Sequence, residues 1–139
     1  MTRWVPPTAI VLGVLALTWP GLTAGQATSF VAVLAGLGIA WWVSPLNGRS
    51  GPRHADAIGD QSAHPVVIYW RPGCIFCTRL RGALGRATRR TSWVSIWADR
   101  EAAAWVRSVN GGDETVPTVR IGDEVHTNPD PEVVRAALR

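Results

Sequence analysis

Two cysteines three positions apart, Cys74 and Cys77, are the only thiols in the 139 residues. They stand in Arg71-Pro72-Gly73-Cys74-Ile75-Phe76-Cys77, directly after the apolar run Val66-Val67-Ile68-Tyr69-Trp70. A thiol exchanges with disulfides as its thiolate, so a working site must lower the pKa of one sulfur. A cysteine at the first turn of a helix meets unpaired N–H groups and the positive end of the helix dipole. Cys74 is expected there and within reach of solvent, with Arg71 able to add positive charge. Cys77, one turn deeper, opens an apolar stripe continued by Leu80, Leu84 and Ala87, so it is expected to be shielded and less acidic. Cys74 then attacks and Cys77 resolves. Half a zinc site is the rival reading, but zinc takes four ligands. No second cysteine pair exists, and His54, His64 and His126 come from a tether, a strand entry and a hairpin edge. No metal is expected.

The elements that would hold these sulfurs follow from local signals. Residues 66–70, bounded by Pro65 and Pro72, read as a central buried strand, and a helix follows from near Cys74. Trp93 to Trp97 reads as a second strand. Asp99 is a candidate N-cap for a helix through Val109, stopped at Asn110-Gly111-Gly112. Thr118 to Ile121 and Glu124 to His126 read as short strands around the Gly122-Asp123 turn. A last helix is expected from Asp130-Pro131-Glu132 through Leu138. Thr115-Val116-Pro117-Thr118 suggests a cis Val116–Pro117 bond at a strand entry. It would set the Val116 backbone beside the cysteines, as a rail for an extended thiol ligand. The order βαβαββα is the thioredoxin plan, an α/β fold.

Charge divides the chain. From Met1 to Gly48 the only charged side chain is Arg3, whereas 13 of the 14 arginines and all 10 acids lie beyond it. The C-terminal part is therefore nearly balanced despite a net charge of +4. No basic stretch interleaves with aromatics as a nucleic-acid groove requires. Two apolar runs, about 5–22 and 27–43, read as a transmembrane hairpin. The first, counted from Trp4, spans roughly 28 Å, enough for a hydrocarbon core. Trp4, Trp19 and Trp41-Trp42 fall where an interfacial belt would lie. Pro20 to Gln26 reads as the turn, and Ala9/Gly13 and Ala32/Gly36/Ala40 as close-packing faces. A cleaved signal peptide is the alternative, but it would leave the second apolar run at the new N-terminus. Arg3, Arg49 and Arg53 flank the hairpin and none lies in its turn, so both ends, and the C-terminal domain with them, are expected in the cytoplasm. Residues 46–63, rich in Pro, Gly, Ser, Asp and Arg, read as a flexible linker, and 64–139 as the folded domain.

Tyr69-Trp70-Arg71-Pro72-Gly73-Cys74-Ile75-Phe76-Cys77, Val109 through Thr118, and Thr127-Asn128-Pro129 together closely resemble the mycoredoxins, the actinobacterial branch of the glutaredoxins. The resemblance covers His64 to Arg139 and not the hairpin. It implies reduction of protein–mycothiol mixed disulfides, with mycothiol as co-substrate and no bound cofactor. Ligand contacts are expected from Arg71, Thr115, Val116, Pro117, Asn128 and Asp130. Thr127-Asn128-Pro129-Asp130 replaces the Gly-Gly-Cys/Ser-Asp segment by which relatives hold glutathione, which favours mycothiol. Ile75-Phe76 replaces the more usual Pro-Tyr. Two other functions fit parts of the pattern: an extracytoplasmic disulfide oxidase or isomerase, and a module bridging an iron–sulfur cluster through Cys74.

Overall fold

A computed structural model of the chain describes residues 4–48 and 50–139. Arg3 and Arg49, two of the three charges behind the expected orientation, lie outside the described residues. The chain divides into two compact units, residues 1–47 and 48–139.

The first unit is a pair of helices, α1 (Val5–Thr23) and α2 (Ala27–Trp42). α1 is long and apolar enough to cross a membrane; α2, at 16 residues, is a shorter apolar helix. Pro20 does not end α1. Its fixed φ is itself helical and it forfeits only one hydrogen bond, so the helix runs on to Thr23 and the chain turns at Ala24-Gly25-Gln26. The contact between the helices uses small residues, but not all of those expected. Ser29, Gly36 and Ala40 are buried on α2, while Ala32, Ala9 and Gly13 are exposed. A Cβ on Gly36 would meet Val14 Cγ2 at 2.6 Å, so the helices touch there because no side chain intervenes. Leu12, Leu17, Trp19, Phe30, Leu34 and Trp41 all point outward.

The second unit is built on a four-stranded sheet in the order β2-β1-β3-β4, with β1 (Val66–Trp70), β2 (Ser92–Ser95), β3 (Thr118–Ile121) and β4 (Glu124–Thr127). β1 pairs parallel with β2 and antiparallel with β3, Ile68 standing opposite both Trp93 and Val119. Val66 to Tyr69 are at most 1% exposed, which marks the centre of the core. Each such side chain contributes about 1.5–3 kcal/mol by leaving water. Successive β1 residues point to opposite faces. Trp70 packs with Trp93 under Arg81 of α4 (Ile75–Leu84), whereas Tyr69 stacks on Trp105 of α5 (Arg100–Val109). α4 and α6 (Pro131–Ala137) thus pack together on one face of the sheet, and α3 (His54–Gly59) with α5 on the other. This is the thioredoxin fold the element order implied.

Three local expectations need correction. α4 stops at Leu84 because Gly85 takes φ 53°, and Ala87 sits in a 3-10 turn, Gly85–Arg90. β2 ends at Ser95, where Ala98 and Asp99 donate back to the Ser95 carbonyl and curl the chain. The expected linker 46–63 is not free chain. Its residues 54–59 form α3, where Ala57 is wholly buried and the Ala57 carbonyl accepts from Arg120 Nη2 at 3.0 Å. Ahead of it, Gly51 lies so close to the Trp93 carbonyl on the β2 edge that no Cβ would fit.

Candidate active site

β1 delivers the chain to Arg71-Pro72-Gly73, where Gly73 adopts φ 74°, a left-handed conformation that glycine takes without a Cβ penalty. The turn sets Cys74 as the N-cap of α4. The Cys77 N–H donates to Cys74 Sγ at 3.1 Å, and the Cys74 carbonyl accepts from the Thr78 N–H and hydroxyl, each at 3.1 Å. The sulfur therefore occupies the place an Asp or Ser oxygen takes in an ordinary cap, aligned with the helix dipole. An anionic sulfur is stabilised at such a position, and a cysteine there is a better nucleophile near neutral pH than a free thiol.

Cys74 and Cys77 are joined by a disulfide, with Cα atoms 5.3 Å apart. Cys77 is 3% exposed and faces the core with Leu80 and Leu84, as its stripe requires. Cys74 is 8% exposed, less open than expected. The reason is the loop before β3: the Val116–Pro117 bond is cis, and the Val116 carbonyl lies 3.6 Å from Cys74 Sγ. Pro117 is fully buried, and Thr115 is held by its carbonyl, which accepts from the Thr118 hydroxyl at 2.8 Å.

Asn128 and Asp130 line a second part of the surface. They close an open cleft of about 450 Å³ with Pro129 and Pro131 on one side and Phe76, Arg79, Leu80 and Ala83 of α4 on the other. Asp130 caps α6 through the Glu132 N–H at 2.8 Å. Asn128 takes φ 47°, and its N–H donates to the Pro117 carbonyl at 2.7 Å, linking this loop to the one over Cys74. Arg71 is exposed and does not line the cleft; its carbonyl accepts from the Cys74 N–H at 3.3 Å. Phe76 and Arg79 are not among the ligand contacts expected from the sequence. The helical spacing Phe76, Arg79, Leu80, Ala83 was the available signal, since it places them on one stripe beginning between the cysteines.

A sulfur at a helix N-cap, a partner sulfur one turn below it and a cis-proline loop against them define a thiol–disulfide oxidoreductase of the thioredoxin fold. The glutaredoxin family model matches residues 66–126. The protein named Putative glutaredoxin Rv3198A, from Mycobacterium tuberculosis (strain ATCC 25618 / H37Rv), is 42% identical over 74 residues, covering 52% of this chain and 88% of that protein. Mycoredoxin 1 of Corynebacterium glutamicum (strain ATCC 13032 / K051) is 41% identical over 66 residues, covering 46% of this chain and 80% of that protein. The chain belongs to the glutaredoxin family.

On the opposite face of the sheet, His54, expected in a flexible linker, joins Tyr69 of β1 and Asp99 at the start of α5. The His54 backbone N–H donates to Asp99 Oδ2 at 2.7 Å, and His54 Nδ1 lies 2.8 Å from the Tyr69 hydroxyl. Burial pushes the Tyr69 hydroxyl up to about 12 and lowers the His54 pKa. Tyr69 thus keeps its proton and can donate to a neutral imidazole. Burial alone would raise the Asp99 carboxyl, but N–H donors from His54, Ala102 and Glu101 outweigh it and hold the group below its usual value.

Proposed function

We propose that this protein is a membrane-anchored reductase of mixed disulfides between proteins and mycothiol, with its redox domain in the cytoplasm. The observation that carries the reading is the cleft beside the CxxC site, where Asn128 and Asp130 face Phe76 and Arg79. A thiol whose sulfur sits at Cys74 against Val116 can extend its polar end into that cleft. Asn128 and Asp130 offer hydrogen bonds suited to the hydroxyls of a sugar thiol. The similarity to Mycoredoxin 1 supports the same choice.

In the proposed cycle the Cys74 thiolate attacks the mycothiol sulfur of the mixed disulfide. A Cys74–mycothiol disulfide forms, the S–S bond between the mycothiol sulfur and the protein's cysteine sulfur breaks, and the protein leaves as a thiolate that takes up a proton. A second mycothiol, attacking as its thiolate, breaks the Cys74–mycothiol bond. Mycothiol disulfide departs and Cys74 returns as thiolate. One mycothiol thiol is thus oxidised and one protein sulfur is reduced to a thiol, while the first mycothiol sulfur stays at the disulfide level throughout. Val116 and Thr115 guide the ligand through backbone groups, Pro117 shapes the rail, Asn128 and Asp130 hold the polar end, and Arg71 favours the anion at the mouth. Cys77 resolves the intermediate when the external thiol is scarce.

Anchoring rests on the first unit, with α1 long enough to span and α2 returning beside it with its apolar side chains outward. The deciding assay offers the purified chain mycothiol and glutathione mixed disulfides in parallel. Faster turnover of the mycothiol substrate is expected, and a clear preference for glutathione would refute the assignment. A reporter fused after Arg139 should work inside the cell and not outside.

A further inference from the structure

The stretch between hairpin and sheet is bound to the redox domain along most of its length. Gly51 sits against the Trp93 carbonyl on the β2 edge, and Gly48 lies beside Ser95 and Trp70. Next, the His54 backbone binds Asp99 while its ring binds Tyr69 and lies near Trp105. Ala57 is then buried and its carbonyl is held by Arg120. On the hairpin side, Ser44 donates to the Trp41 carbonyl, and Asn47 Nδ2 donates to the Trp42 carbonyl, so these residues close onto the end of α2. One unit runs to Asn47 and the other starts at Gly48.

Length turns this strap into a specificity device. Free chain from Trp42 to His64 would reach about 75 Å when extended, whereas Trp42 to Gly48 reaches about 20 Å at most. A domain of this size has a radius of gyration of about 12 Å. With the strap bound, the active site therefore serves a shallow layer above the anchor. A shorter connection also concentrates the site in that layer, since effective concentration falls steeply as a free linker lengthens.

We infer that the bound strap selects the substrate class: mixed disulfides on cysteines of membrane-embedded proteins lying close to the bilayer surface. This rests on the anchored-reductase reading above. Small mixed disulfides in solution reach the site regardless of the strap.

The test uses the full chain in vesicles together with a transmembrane peptide that displays a mycothiol-modified cysteine on a helical spacer of graded length. Turnover should fall about tenfold as the cysteine is raised from the surface to beyond the strapped reach. Inserting a long Gly/Ser segment between Asn47 and Gly48 leaves the strap intact and should abolish that fall. His54→Gln, which weakens the strap, should reduce it in part. All three proteins should turn over a small soluble mycothiol mixed disulfide equally. A height profile that is flat in the native chain, or unchanged by the insertion, overturns the inference while leaving the anchored reductase standing. Release of the native chain from vesicles by alkaline wash would remove the anchoring and this inference together. Failure on the small soluble substrate would remove the mycothiol assignment and the inference that rests on it.

Discussion

Two helices start where adjacent parallel strands end, and each is capped by a single side chain. Cys74 caps α4 after β1, and Asp99 caps α5 after β2. The backbone device is the same, yet one end carries a disulfide and the other holds the fold. Asp99 is fully committed. One oxygen takes the Glu101 and Ala102 N–H groups at 2.9 and 3.3 Å, and the other takes the His54 N–H at 2.7 Å. Cys74 takes one such bond from within its helix, and its other neighbour is a carbonyl that accepts rather than donates. A helix start can become reactive when its capping atom is able to change covalent partners, as a cysteine sulfur is and a carboxylate oxygen is not.

The largest difference between the two caps should appear in chemistry. Cys74→Ser is expected to abolish turnover of a mycothiol mixed disulfide, whereas Cys77→Ser should retain part of it because external thiol can discharge the intermediate. In that second variant the Cys74 thiol should titrate below the free value of about 8.5. Equal loss in both variants would mean an obligatory internal disulfide. Asp99→Ala should do the reverse, lowering stability by about 2 kcal/mol in urea unfolding through its lost cap and strap bond. Exchange per folded molecule should remain intact.

Smaller effects lie in pH. His54 has its pKa lowered in the folded chain, so its contribution is complete above the unfolded value of 6.5. That contribution falls away as pH drops through the depressed folded value. Asp99, also lowered, adds a loss in the same direction below its ordinary 3.8. The urea midpoint should therefore decline from pH 7 to pH 5, and His54→Gln should flatten that decline. An unchanged slope would mean His54 is not titrating in place. The smallest effect is expected for Asp130→Ala: about 1 kcal/mol from the lost α6 cap, with a raised KM for the mycothiol substrate and little change in kcat.

Much of the redox domain was legible because its signals are local. Pro65 and Pro72 bound β1, Asp99 and Asp130-Pro131 begin helices at their own positions, and Val116-Pro117 announces its own turn. The strap was not legible, because what holds it is distant in sequence. His54 meets Tyr69 and Asp99, and Ala57 meets Arg120, partners that no window around residue 54 contains. Its single helix is short, and Gly, Ser, Asp and Arg make up about half of residues 46–63, as they would in free chain. The shielding of Cys74 was missed for the same reason, since its cover comes from Val116. In the hairpin, the every-fourth-residue rule found Gly36 and Ala40 but mistook Ala32 for part of the contact. Composition shows where helices can approach, and rotation about the axis decides where they do.

The Asn128 N–H bond to Pro117 has a consequence for ligand choice. The same loop is tied a second time through Asn110, whose side-chain oxygen accepts from the Thr127 hydroxyl at 2.6 Å while its amide donates to Thr118 Oγ1 at 3.0 Å. In the proposed binding mode, the wall at the sulfur and the wall at the ligand's far end are thereby riveted into one body. Such a body would act as a length gauge. Two thiols of equal acidity but different distance between sulfur and polar tip would be sorted by whether they span the fixed gap, before any bond is exchanged.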